Sequence, residues 1–143
     1  MSTTQTCVVL GGAGSYRGAQ GLEYFEGVSA QSAGARGICM HRLQIPPGGA
    51  ARAHLHEHHE TAIYVLAGRA SMRYGEGLGE ELHAGPGQFV FIPAGIPHLP
   101  RNPSDDEPFV AIVARTDPNE QESVVLLDDG ATASPSAGRS AVG

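Results

Sequence analysis

Two stretches of the chain decide the fold prediction, and both combine histidines with glycines at fixed spacings. Residues 48–68 read GGAARAHLHEHHETAIYVLAG, and residues 87–102 read GQFVFIPAGIPHLPRN. If the first stretch is extended, His54 and His56 project to the same face, because side-chain direction repeats every two residues. Two imidazoles on one face, followed by a carboxylate, are ligands suited to Mn, Fe, Co, Ni or Zn. A solvated histidine-rich loop is the alternative interpretation of this segment taken alone.

The sequence around these stretches is typical of an all-β protein. Short apolar runs are separated by turn residues, and they span residues 38–45, 61–67, 70–74, 88–92, 109–115 and 122–127. Runs spaced roughly 8–12 residues apart indicate a β-sandwich or β-barrel. The 143 residues include 20 Gly and 10 Pro, which favours many short strands and turns within one domain.

The two stretches together resemble the two motifs of the cupin superfamily. The first family motif reads G, five residues, H-x-H, three or four residues, E, six residues, G. It is matched here by Gly48, His54, His56 and Glu60. The second reads G, five residues, P-x-G, two residues, H, three residues, N. It is matched at every position, by Gly87, Pro93, Gly95, His98 and Asn102. Small bacterial single-domain members also share the string H-x-H-x-x-H-E-T-A-I-Y-V-L-x-G, here residues 54–68.

This resemblance implies an antiparallel double-stranded β-helix, a jelly-roll barrel with a metal inside its mouth. It also implies four metal ligands, which are His54, His56, Glu60 and His98. The expected cofactor is one divalent transition metal, Mn, Fe, Ni or Zn, with coordination positions left open for water or a chelating ligand.

The first motif departs from the family pattern at its carboxylate. Seven residues rather than six lie between Glu60 and Gly68, so counting back from Gly68 places the ligand position at Thr61. Either a β-bulge absorbs the extra residue and directs Glu60 inward, or His59 takes the third position. We expect Glu60, because bulges are common beside functional sites.

The function implied by the resemblance is that of a single-domain metal-binding cupin. We expect an enzyme of dioxygenase or isomerase type that acts on a small oxygen-bearing or carboxylate compound. The alternative is a non-catalytic module that binds a small molecule or a metal. We assign no catalytic residue from the sequence.

Composition excludes several other functions. The formal net charge is −6, which repels phosphate backbones and argues against nucleic-acid binding. All nine basic residues are Arg, so chemistry that needs a lysine amine is excluded.

No apolar stretch approaches the length of a membrane span, and no signal peptide is recognised. With two cysteines and no disulfide framework, we expect a cytoplasmic protein.

The chain divides into three predicted parts. Residues 1–36 are a Gly-rich N-terminal arm, able to pack on or exchange with a partner subunit, residues 37–127 are the barrel, and residues 128–143 are a disordered tail. Within the barrel, we expect Phe89 and Phe91 to pack inside. A homodimer is expected because small jelly rolls expose sheet edges that need cover.

Overall fold

The computed structural model describes residues 5–11, 15–18, 21–119 and 124–127. These residues form eleven strands, one four-residue α-helix (α1, Ala30–Ala33) and one 3-10 turn at Glu76–Leu78. The strands are β1 (Ser15–Arg17), β2 (Glu23–Val28), β3 (Cys39–Ile45), β4 (His54–His56), β5 (Thr61–Ala67), β6 (Ala70–Tyr74), β7 (Glu80–Ala84), β8 (Phe89–Ile92), β9 (His98–Arg101), β10 (Phe109–Arg115) and β11 (Val124–Leu126). No helix among these residues is long and apolar enough to cross a membrane.

The strands form two antiparallel sheets that pack against each other. One has the order β1-β2-β3-β10-β5-β8, and the other has the order β11-β4-β9-β6-β7. Their inner faces share one apolar core, which contains Leu43 and Val113 from the first sheet and Ala70 and Ala84 from the second. The predicted all-β, double-sheet fold is confirmed.

Alternation along the strands decides which side chains reach the core. In β10, Phe109, Ala111, Val113 and Arg115 are buried, and the residues between them are half-buried. Side chains two residues apart share a face of a strand, so these four point inward together. Three of them are apolar, and the fourth places a guanidinium inside the barrel.

The six apolar runs of the sequence each contain a strand of the structure. Within the predicted N-terminal arm, β2 pairs with β3 of the same chain and buries Tyr24. Residues 23–28 therefore extend a sheet of their own barrel. The predicted tail, residues 128–143, lies outside the described residues.

Strand β4 is buried on both faces, although it is only three residues long. His54 and His56 lie on one face, and Leu55 points to the other. Leu55 belongs there to a second small apolar cluster, whose buried members are Ala53, Leu55, Leu78, Val125 and Leu127. Burying a leucine side chain contributes about 2–3 kcal/mol, so this cluster holds the strand in the orientation that directs both histidines inward.

Strand β8 has the opposite orientation from the one expected. Phe89 and Phe91 are 78% and 59% exposed, while Ile92 is buried and Val90 is half-buried. The four-residue strand is apolar on both faces, so its composition does not show which alternate residues face the core. Phe89 packs instead against Tyr64 on the outer surface, with ring centroids 4.7 Å apart.

Candidate metal centre

Three histidines from two neighbouring strands meet inside the barrel. His54 of β4 is paired directly with His98 of β9 across the second sheet, and His56 lies two residues further along β4. The ring centroid of His54 is 4.2 Å from that of His98 and 5.3 Å from that of His56. Each side chain is only 2% exposed, and their nearest ligand nitrogens all lie within 4.8 Å of one another. The sequence-predicted ligands His54, His56 and His98 are thus brought together.

Two of the rings are fixed by backbone carbonyls. The Nδ1–H of His54 donates to the carbonyl oxygen of Arg52 at 2.6 Å, and the Nδ1–H of His98 donates to that of Ile96 at 3.0 Å. A hydrogen bond from Nδ1 leaves the lone pair on Nε2, the arrangement typical of metal-ligating histidines. Both rings are therefore oriented to bind an ion through Nε2.

His56 differs from the other two histidines in its hydrogen bonding. Neither of its ring nitrogens has a hydrogen-bond partner, although both are buried. A buried polar atom without a partner costs about 1–3 kcal/mol, and a metal ion bound to one nitrogen would satisfy that atom. The donor set of three imidazoles also suits a divalent transition metal.

Burial keeps the three imidazoles in the neutral form that binds metals. It lowers the pKa of His98 to about 4 and holds the pKa of His54 and of His56 well below the ordinary value of 6.5. The positive charge of Arg115 lowers the pKa of each of them further. Because a metal ion competes with protons for imidazole nitrogen, these rings are ready to ligate at neutral pH.

Two of the three histidines, His54 and His98, line a cavity between the two sheets. The cavity volume is about 40 Å³, enough for roughly three waters. Four lining residues are polar or charged, His54, Thr61, His98 and Arg115. The rest of the lining is apolar apart from the phenol of Tyr24, and includes Leu43, Ile63, Val90 and Phe109.

The structure does not bring Glu60 to the histidines. Its side chain is exposed, and its backbone is tied to Thr116, whose Oγ1 accepts from the Glu60 amide at 3.0 Å. Strand β5 does contain a bulge, but the pairing with β10 shifts between Val65 and Ala67, so the extra residue is Leu66. The bulge lies too far along the strand to redirect Glu60.

Thr61 takes the inward position beside the histidines instead. It is 1% exposed and lines the cavity with His54 and His98, and its Oγ1 has no hydrogen-bond partner. A threonine hydroxyl is neutral and is a weaker metal ligand than a carboxylate. The position that the family motif gives to a carboxylate is therefore neutral in this chain.

His59, the other candidate for the third ligand, faces a different residue. Its Nδ1 lies 3.3 Å from Oδ2 of Asp117, outside the group formed by the three buried histidines. Asp117 is 3% exposed, and its Oδ1 accepts a hydrogen bond from the backbone amide of Asn119. His59 thus pairs with a carboxylate beyond the end of β10.

Sequence reasoning missed Arg115 as a residue of the site. Its position follows from strand parity, because Phe109, Ala111 and Val113 alternate inward and Arg115 continues the series. Reading an arginine at the end of such a series as inward-facing would have found it. His41, in contrast, is buried outside the cavity lining, and its Nδ1 accepts from the amide of Gly27.

Asn102, the last residue of the second motif, has a structural role. Its Nδ2 donates to the carbonyls of Ile45 and Glu107, and its Oδ1 accepts from the amide of Ser104. The side chain is 1% exposed and fixes the loop after β9 to the end of β3. It thereby supports the strand that carries His98.

Comparison with solved structures shows the same fold in other proteins. A conserved Klebsiella pneumoniae protein with a double-stranded β-helix domain superposes with a TM-score of 0.62 at 18% identity, covering 83% of this chain and 92% of that one. Oxalate decarboxylase from Lactobacillus farciminis, in complex with formate, superposes with a TM-score of 0.67 at 20% identity, and the match covers 80% of this chain and 33% of that one. DMSP lyase from Ruegeria pomeroyi superposes with a TM-score of 0.54 at 30% identity, and the match covers 65% of this chain and 44% of that one.

Sequence comparison identifies the family. No curated protein sequence matches the chain significantly. The family model of the cupin domain matches residues 41–115, which include both histidine motifs, most of β3 and all of strands β4 to β10. With two antiparallel sheets and a histidine triad between them, this chain belongs to the cupin family.

Proposed function

We propose that the protein binds one divalent transition metal through His54, His56 and His98. The observation that carries this proposal is the convergence of three buried, neutral imidazoles, of which His56 has no other partner for either ring nitrogen. Mn, Fe, Ni and Zn all accept imidazole ligands, and the family implies one of them. Glu60 is not part of the proposed ligand set, because its side chain is exposed.

We propose further that the metal-loaded protein is an enzyme of dioxygenase or isomerase type. Its substrate would be a small oxygen-bearing or carboxylate compound. A bound divalent metal supplies Lewis-acid polarisation of an oxygen on such a compound. Three protein ligands leave coordination positions open, as in catalytic sites rather than closed structural ones. Most of the cavity wall is apolar, and such low-polarity surroundings strengthen electrostatic interactions.

Elemental mass spectrometry tests the metal site. Untagged protein purified without chelator is expected to hold close to one equivalent of Mn, Fe, Ni or Zn. His98→Ala should lose at least tenfold in metal affinity, because it removes one of three ligands. His83→Ala is the matched control, since His83 is exposed on β7. The proposal would be overturned if the wild type held no metal after reconstitution, or if His98→Ala and His83→Ala lost metal affinity equally.

Turnover separates an enzyme from a non-catalytic binding module. Metal-loaded protein is incubated with small hydroxy acids, diols and enols while product formation and oxygen consumption are followed. An enzyme converts at least one compound, and His98→Ala does not. If ligands stabilise the loaded protein but none is converted, the protein is a binding module.

We propose that the chain forms a homodimer through the outer surface around β8. β8 is an edge strand of its sheet in the described part of the chain, and it exposes Phe89 and Phe91 beside Tyr64. An exposed edge strand with apolar side chains favours pairing with a second copy. Sedimentation should give a dimer for the wild type and a monomer for the double variant Phe89→Ser, Phe91→Ser. A wild-type monomer would contradict this.

A reducing, cytoplasmic location is proposed from the cysteines. Cys7 is exposed and Cys39 is buried within β3, and no disulfide links them. Thiols that stay unlinked are typical of reducing compartments. Fractionation of cells that express the untagged chain tests this, and recovery outside the cytoplasm would contradict it.

A further inference from the structure

His59 and Asp117 bring a nitrogen donor and an oxygen donor together at one end of the barrel. Nδ1 of His59 lies 3.3 Å from Oδ2 of Asp117. The side chain of His59 is 26% exposed, whereas that of Asp117 is buried. The pair therefore reaches from solvent into the interior of the protein.

The pairing of β5 with β10 aligns these two residues with the cavity. Thr61, the first residue of β5, lines the cavity. Glu60 continues the pairing beyond the strand, since its carbonyl oxygen accepts from the amide of Thr116 at 3.2 Å. Side-chain direction repeats every two residues, so His59 lies on the same side as Thr61, opposite Asp117. The pair thus follows Thr61 along the inner face of the two strands.

His59 is also within electrostatic reach of the triad. Burial is the main reason why the pKa of His56 is lowered, and the charge of Arg115 and charges on the other two triad rings follow. A charge on His59 lowers the pKa of His56 further. Because electrostatic interactions weaken with distance, this effect places the half-exposed ring of His59 near the buried triad.

The carboxylate of Asp117 has one oxygen that is free to bind a cation. Its Oδ1 accepts from the backbone amide of Asn119 at 2.9 Å. Its Oδ2 is buried and has no hydrogen-bond partner in the part of the chain that the structure describes. Two ligand atoms about 2.1 Å from one ion, at the tetrahedral angle, stand about 3.4 Å apart. The separation of 3.3 Å between Oδ2 and Nδ1 of His59 therefore suits a shared metal ion.

We infer that His59 and Asp117 form a capture site that takes a divalent transition metal from solvent and passes it to the triad. This inference rests on the metal site proposed above and concerns how that site is filled. Imidazole nitrogen and carboxylate oxygen are both ligands for such ions. Two protein ligands leave the other coordination positions to water, so the ion is held weakly. It is then transferred to the three imidazoles, which bind it more tightly.

The kinetics of Co²⁺ binding test this inference. Metal-free protein is mixed with Co²⁺ and uptake is followed by visible absorption, and release is followed after excess chelator is added. His59→Gln and Asp117→Asn should each slow uptake and release about tenfold and by the same factor, because loss of an intermediate site raises the barrier in both directions. The equilibrium affinity should therefore equal that of the wild type. Uptake at the wild-type rate in His59→Gln would overturn the inference.

The two variants separate a ligand role from general electrostatic attraction. Attraction by charge predicts slower uptake in Asp117→Asn alone, since His59→Gln removes no negative charge. The double variant should be no slower than the slower single variant, because both donors serve one site. His83→Gln and Asp105→Asn are the matched controls at exposed positions, and both should take up Co²⁺ at the wild-type rate. If Asp117→Asn does not fold, the comparison of His59→Gln with His83→Gln decides.

A structural role of the pair gives a different result. If His59 and Asp117 only stabilise the fold, their variants lower the free energy of urea unfolding and leave both Co²⁺ rates unchanged, which overturns the inference. A loss of Co²⁺ affinity in His59→Gln without slower uptake would make His59 a ligand of the final site, and this also overturns it.

Co²⁺ stoichiometry separates failure of this inference from failure of the metal site. It is measured by elemental analysis for the wild type and every variant after reconstitution. Wild-type protein without bound Co²⁺ would overturn the metal site, and the capture site with it. One equivalent of Co²⁺ in the wild type and in both variants, with unchanged rates, would overturn the capture site alone.

Discussion

The backbone amide of Gly95 donates a hydrogen bond of 2.8 Å to the carbonyl oxygen of His56. This bond ties the turn that leads into β9 to the strand that carries two of the three histidines. Gly95 has φ of 78°, in the left-handed region where glycine is favoured. The glycine of the second family motif therefore helps to set the distance between His98 and its two partners.

Gly95→Ala should lower metal affinity about fivefold to tenfold, because relaxing the strained turn moves its amide away from His56. The strain itself is about 1–2 kcal/mol, and an added Cβ meets no atom within 4 Å. Affinity is measured by competition with a chelator. Gly87→Ala is the control, since Gly87 has φ of 84° and equally open surroundings but leads into β8. Equal loss of metal affinity in both variants would contradict the role of the Gly95 bond.

Asn102→Ala should lower the free energy of unfolding without removing the metal. The change deletes three hydrogen bonds of a buried amide, a loss of roughly 2–4 kcal/mol. Urea unfolding and metal stoichiometry are measured together at low temperature. Asn119→Ala, at an exposed position, should leave both unchanged. Loss of the metal from an otherwise folded Asn102→Ala protein would show that Asn102 acts on the site directly.

The fold and the convergence of three histidines were predictable because their signals are local. His54 and His56 share a strand face by simple alternation, and His98 is fixed by a turn that Pro93 and Gly95 specify within a few residues. The apolar runs likewise marked six of the strands. Each of these inferences needs no knowledge of which strands are neighbours.

The identity of the residue beside the histidines was not predictable in this way. Whether Glu60 or Thr61 faces inward depends on where β5 bulges against β10, and that bulge is at Leu66. Pairing between strands distant in sequence decides such a register. The outward orientation of Phe89 and Phe91 was not predictable for the same reason. Strand β8 is apolar on both faces, and only its pairing with β5 shows which face is outside.

Acidification should destabilise the metal-free protein. The folded state keeps the triad neutral, with the pKa of His98 lowered to about 4 by burial, while unfolded histidines titrate near 6.5. Below pH 6.5 the unfolded chain binds more protons, so the stability present above that pH is lost as the pH falls. His98 alone accounts for about 3 kcal/mol between pH 6.5 and 4.

Urea unfolding of the metal-free protein at pH 7.5, 6 and 5 measures this dependence. His98→Gln should reduce the slope because it removes one of the three titrating groups, and His83→Gln, at an exposed site, should not. A free energy of unfolding that stays constant from pH 7.5 to 5 would show that the triad is not held neutral by folding.

Thr61→Glu should raise metal affinity at least tenfold, because it places a carboxylate at the inward position of β5 beside His54 and His98. Thr61→Gln, which has the same length without the charge, is the control for size, and Glu60→Gln should leave affinity unchanged. Equal metal affinities in Thr61→Glu and Thr61→Gln would contradict the inward position of residue 61. A loss of metal affinity in Glu60→Gln would show that the carboxylate at position 60 supplies a ligand in solution.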